Sequence, residues 1–134
     1  MPQCKKFIIQ GKLWGLNDYT RACRSKYGQH TASAYKRETE ELIGWYIKKY
    51  LRGWRTDKRI YLRYHWIEPN TKRDIDNICF ARKFIQDALV KQGVIKNDGW
   101  KNIAGHSDEF SVDKNNPRIE VEIIEVDDDR RKYA

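Results

Sequence analysis

The sequence has little with which to cross-link, chelate or span. Its three cysteines, Cys4, Cys23 and Cys79, are odd in number and widely spaced. No CxxC pair occurs, so neither a disulfide framework nor a zinc ribbon is indicated, and a reducing cytoplasm is the expected setting. The longest apolar runs fall far short of the ~20 residues of a membrane helix. Residues 1–10 hold a three-residue apolar run after their lysines, too short for a signal peptide. There are three prolines and eight glycines, and no linker, internal repeat or low-complexity block. The expectation is one domain over residues 1–134, with 127–134 as a frayed tail.

What the sequence has is charge and aromatics. Of its 134 residues 34% are charged, and the net charge is +8. Residues 1–73 carry 17 Lys/Arg against six Asp/Glu, a net of +11, while residues 74–134 carry ten against 13, a net of −3. A basic half joined to a mildly acidic one suggests a polyanionic partner, with carboxylates gathered for another purpose. Five Trp and eight Tyr supply material for a core, a dimer contact or stacking surfaces.

Periodicity predicts an α+β fold in the order β-α-β-α-β-β, with two helices packed on one mixed sheet. Residues 6–10 read as a strand and 13–28 as a basic loop holding Arg21, Arg24 and Lys26. A helix is expected from Ser33 to Leu51, where two stripes run side by side, Leu42/Tyr46/Tyr50 and Ile43/Ile47/Leu51. Gly53 suits its C-cap. Residues 60–67 alternate as a strand. A second helix over 76–92, closed by Gly93, turns Ile78, Ala81, Phe84, Ile85, Ala88 and Leu89 toward the sheet and Asp76, Phe80, Lys83 and Asp87 outward. Asn97-Asp98-Gly99 is turn chemistry. Strands follow over 106–112 and 118–126, separated by Asn115-Asn116-Pro117.

The stretch from Lys72 to Asn77, KRDIDN, is the one that needs explaining. An aspartate caps a helix well, for about 1 kcal/mol, but one is enough. Two carboxylates about 5 Å apart repel by about 3 kcal/mol at an effective dielectric of ~20. Lys72 and Arg73 could offset this, and so could a divalent cation, since hard cations take oxygen ligands. Downstream, Asp98, Asp108 and Asp113 are candidates for a third ligand. His65 and His106 fall on predicted strands with the wrong spacing for zinc.

The ordered set Asp74-x-Asp76-Asn77, Lys83, "DAL" at residues 87–89, Gly93 and Asp98 resembles the RusA-like crossover-junction endodeoxyribonucleases, small Holliday-junction resolvases of prokaryotes and phages. The opening "KFIIQG" and "LNDY" around Asn17 are similar to that family's first strand and its Asn-containing loop. The resemblance implies a homodimer in recombination and repair that nicks two symmetric strands of a four-way DNA junction. It implies Mg2+, with Mn2+ able to substitute, held by Asp74, Asp76 and Asp98. Lys83 would stabilise the phosphate or the leaving oxygen, with Lys72 and Arg82 as alternatives. It also implies a terminal β-hairpin. The expected DNA contacts are Asn17, Arg21, Arg24, Lys26, Lys72, Arg73 and Asn77. A nuclease for flaps or forks, and a non-catalytic DNA-binding protein whose aspartates only cap a helix, are the alternative readings.

Overall fold

A computed structural model describes residues 3–25 and 28–128. Four strands, β1 (Cys4–Gln10), β2 (Arg59–Glu68), β3 (Ile103–Val112) and β4 (Arg118–Val126), form one mixed sheet in the order β1-β4-β2-β3. β2 and β3 run parallel, and the other pairings are antiparallel. The helical segments are α1 (Leu16–Arg24), α2 (Gly28–Leu51), α3 (Ile75–Cys79) and α4 (Arg82–Lys91). The α+β architecture expected from the periodicity is present.

Strand alternation sorts the two faces of the sheet. Phe7 and Ile9 of β1, Ile60, Leu62, Tyr64 and Trp66 of β2, and Ile119, Val121 and Ile123 of β4 are buried on the face that the helices cover. The other face carries paired charges: Lys6 meets Glu120 at 2.8 Å, and Arg63 meets Glu122 at 3.4 Å. From α2 the core takes Ile43, Ile47 and Leu51, while Leu42 and Tyr50 of the neighbouring stripe stay exposed. From α3, α4 and the junction between them it takes the six residues predicted to face the sheet. Gly53 and Gly93 close their helices at φ 84° and 76°, a conformation that only glycine adopts without steric cost.

Three local expectations need correction. Residues 16–24 form a helix where a loop was expected. Its start is fastened by the Asp18 carboxylate, which accepts the Gly15 N–H at 3.1 Å, and only Ala22 within it is fully buried. The expected helix over 76–92 is two segments. At the junction Ala81, Lys83 and Phe84 each donate to the carbonyl three residues back, which tightens the turn between them. β3 and β4 are not a hairpin, because β2 lies between them. Their connection crosses the end of β2, where the Asp113 N–H donates to the Glu68 carbonyl at 2.8 Å. Asp128 forms an ion pair with the buried side chain of Arg59. Residues 129–134 lie outside the described residues, as does Lys26.

Candidate active site

The path from β2 into α3 is set by a buried ion pair. Arg73 gives both ends of its guanidinium fork to Glu68, at 2.8 Å each, and a third hydrogen bond to the Leu13 carbonyl at 2.9 Å. The two side chains are 14% and 7% exposed. Arg73 turns these donors inward, and it braces the turn that presents Asp74 and Asp76.

Asn77 plays a similar part. Its side-chain oxygen accepts the Asn17 N–H at 2.8 Å, tying the start of α1 to α3. The fit is close enough that a Cβ on Gly15 would stand 2.4 Å from that oxygen and 2.5 Å from the Asn77 carbonyl. Asn77 thus clamps α1 against α3. What it fixes in place is α1, whose Arg21 and Arg24 are exposed. Asn17 and Lys72 are exposed as well.

Asp74 and Asp76 are both exposed and line one depression with Glu68, Phe110 and Ser111. Asp74 is the N-cap residue of α3, yet its side chain makes no capping hydrogen bond. The Asp74 backbone carbonyl instead accepts from Ile78, as in any first turn. Neither carboxylate has a hydrogen bond or ion pair to another described side chain. Capping therefore explains neither residue, and the pair is left open to solvent. Two hard oxygen donors suit a hydrated Mg2+, which commonly takes one or two carboxylates and keeps several waters.

Asp98 is elsewhere. It lines a second depression with Arg59, Gln86, Trp100 and His106, just before β3 begins, whereas Asp74 and Asp76 share theirs with the residues that end β3. Ten residues of strand separate the two places, about 30 Å at ~3.3 Å per residue. No three His, Cys, Asp or Glu gather into a metal-holding group among the described residues.

The other candidates are occupied. Asp108 accepts the Trp66 indole N–H at 2.7 Å and pairs with Arg82. Asp113 accepts the N–H groups of Asn115 and Asn116 and pairs with Arg118. Arg82 is therefore committed to Asp108, whereas Lys83, at the start of α4, is exposed and forms no ion pair among the described residues. Burial lowers the pKa of His106, and the adjacent Arg82 lowers it further against the opposing pull of Asp108. Sequence reasoning missed the role of Glu68. Its only signal was an acidic residue closing an alternating strand, five positions before an arginine.

Fold and site together define a one-sided α+β domain that presents two exposed carboxylates with no side-chain partner among the described residues. The sequence pattern of endodeoxyribonuclease RusA matches residues 8–124 of the 134. The chain belongs to the RusA endodeoxyribonuclease family and is a junction-resolving endonuclease. No match was found among curated proteins. Among the described residues, no helix is long and apolar enough to cross a membrane.

Proposed function

We propose that this enzyme resolves four-way DNA junctions as a homodimer with paired, symmetric, Mg2+-dependent nicks, and that Asp74 and Asp76 are the carboxylates that hold the ion. The observation that carries this reading is the open pair: two aspartates one residue apart, exposed and without a capping bond or a counter-charge among the described residues. The bound ion would supply an activated water and neutralise charge on the phosphate. The chain's own part is to hold the pair in place through the Glu68–Arg73 brace and to offer Lys83 to the phosphate or the leaving oxygen. Arg21, Arg24 and Lys72 meet the backbone of the arms.

Phosphate contacts release counterions, so log affinity for a junction falls by about 0.9 per contact for each unit of log salt. An affinity that barely moves between low and moderate salt would remove the polyanion argument. The reaction itself is tested on a panel of labelled branched DNAs with Mg2+. A four-way junction is cut in preference to a flap or a fork of the same arm sequence. Faster cutting of the flap or fork would transfer the reading to that substrate.

The separation of Asp98 from the pair supports the dimer. β3 is an edge strand bonded only to β2, and an unpaired edge is a template for another strand. Antiparallel pairing of two β3 strands about a two-fold axis carries the Asp98 end of each toward the Asp74 and Asp76 of the other. The third ligand then comes from the second copy. Mixing Asp74→Asn protein with Asp98→Asn protein tests this, because each heterodimer has one site with both changes and one with neither. Single-strand nicks reappear on mixing two inactive proteins. No recovery after subunit exchange contradicts sharing in trans, and an Asp98→Asn protein that nicks at the normal rate removes Asp98 as a ligand.

A further inference from the structure

The outer face of α2 and the turn after it collect rings and cations that the fold does not use. Ile43, Ile47 and Leu51 anchor this helix to the sheet, yet Trp45 is 55% exposed, Leu42 47% and Tyr50 38%. A large exposed ring beside other apolar side chains marks a surface for contact. The ammonium of Lys49 lies 5.2 Å from the Trp45 ring centre and 5.5 Å from that of Tyr50. Lys48 and Arg52 of the same stretch, and Arg55 and Lys58 just after it, are exposed. None of these five cations forms an ion pair among the described residues. Of the nearby acids, Asp57 is 3.7 Å from Lys96, and Glu41, one turn before Trp45, is exposed and forms no ion pair among the described residues.

The arrangement is ordered along the helix. Residues 42, 45, 49 and 52 recur at steps of three and four, which puts them on one stripe. Their span of ten residues covers about 15 Å at ~1.5 Å per residue. Arg52 ends the stripe at φ 52°, a left-handed backbone uncommon for a side chain of this kind. It turns the chain at once after the helix, and its side chain is exposed.

A second copy of the same surface would set five cations against five, so charge disfavours self-association here. Rings interleaved with cations match an unpaired nucleic-acid strand, whose bases stack on the rings while its phosphates meet the cations. We propose that this face of α2 binds a single-stranded DNA segment. Trp45 and Tyr50 are its stacking surfaces, and Lys48, Lys49 and Arg52 are its phosphate contacts. α2 ends just ahead of β2, whereas Asp74 and Asp76 follow the far end of that strand. The segment is therefore held away from the carboxylates of the same chain. The inference goes beyond the nuclease reading, since holding a strand requires neither the carboxylates nor a metal.

The test is fluorescence anisotropy with the full chain and a labelled oligothymidylate, in a chelator, beside a duplex of equal length. Trp45→Ala weakens oligothymidylate binding about five- to a hundredfold, Trp45→Phe restores most of it, and duplex affinity changes less than twofold. The side chain is on the surface, so the variant folds. Unchanged oligothymidylate affinity, or an equal loss on duplex, overturns the proposal. A Trp45→Ala protein that sediments as a smaller species, or that loses binding only to vesicles of anionic lipid, assigns the face to a protein or a lipid surface and overturns it as well. With no divalent cation present, failure of the carboxylate site leaves this measurement untouched.

Discussion

Replacing Asp74 or Asp76 with asparagine abolishes nicking of a four-way junction while binding persists. A neutral amide is a poor ligand for Mg2+. Losing charge stabilisation worth several kcal/mol in the transition state slows the reaction at least about 100-fold. Binding without Mg2+ holds or tightens, because each change removes a negative charge near the DNA backbone. Thermal stability is unchanged or slightly higher. Asparagine caps a helix about as well as aspartate, the Asp74 side chain makes no cap bond to lose, and the mutual repulsion of the pair is relieved. Lys83→Ala is expected to separate from these variants, with slower nicking and intact metal binding. Nicking rates at saturating DNA, together with affinities in chelator, distinguish the two patterns. Normal nicking by both asparagine variants would leave the two aspartates without a catalytic role.

Glu68→Ala produces the largest loss of stability. It strands the Arg73 guanidinium, 14% exposed, without its carboxylate. Breaking a buried pair by removing one partner costs about 3–5 kcal/mol, which for a chain of this size lowers Tm by roughly 10–20 °C. Arg73→Ala has a similar effect and also frees the Leu13 carbonyl. The double variant loses less than the sum of the two single losses, as expected for residues in direct contact. The competing view of Arg73 as a DNA contact expects the reverse: weaker junction binding with an unchanged melting temperature. Melting curves of the three variants beside their affinities below the transition separate the two views.

How far the sequence discloses this molecule depends on the range of each interaction. β4 was readable to the residue, over 118–126, because strict alternation of Ile119, Val121 and Ile123 with glutamates is a local signal. The inward face of α4 was equally legible at 3.6 residues per turn. On α2 two adjacent stripes competed, and only the docking of Ile43 and Ile47 decided between them. α1 was hidden because it buries a single alanine and starts at Gly15, whose partner Asp18 forms a box without the usual Ser or Thr. Local signals also implied a terminal hairpin. The insertion of β2 between β3 and β4 joins segments about 50 residues apart, and no turn motif reports that. At the site, residue types were legible and their engagements were not. Arg73 and Asn77 sit in the motif, but their partners include Leu13 and Asn17, 60 residues away. Asp98 stands at the family's spacing, while the length of β3 separates it from the pair it was expected to join.

The central claim is that the open pair of aspartates serves a metal-dependent junction nuclease. It is tested most directly by one measurement: nicking of a strand-labelled four-way junction by the wild-type chain, in Mg2+ and in chelator, beside a linear duplex of the same sequence. The account predicts two symmetric nicks in opposed strands of the junction in Mg2+, none in chelator and none in the duplex. Nicking that continues in chelator, or that treats junction and duplex alike, would contradict it.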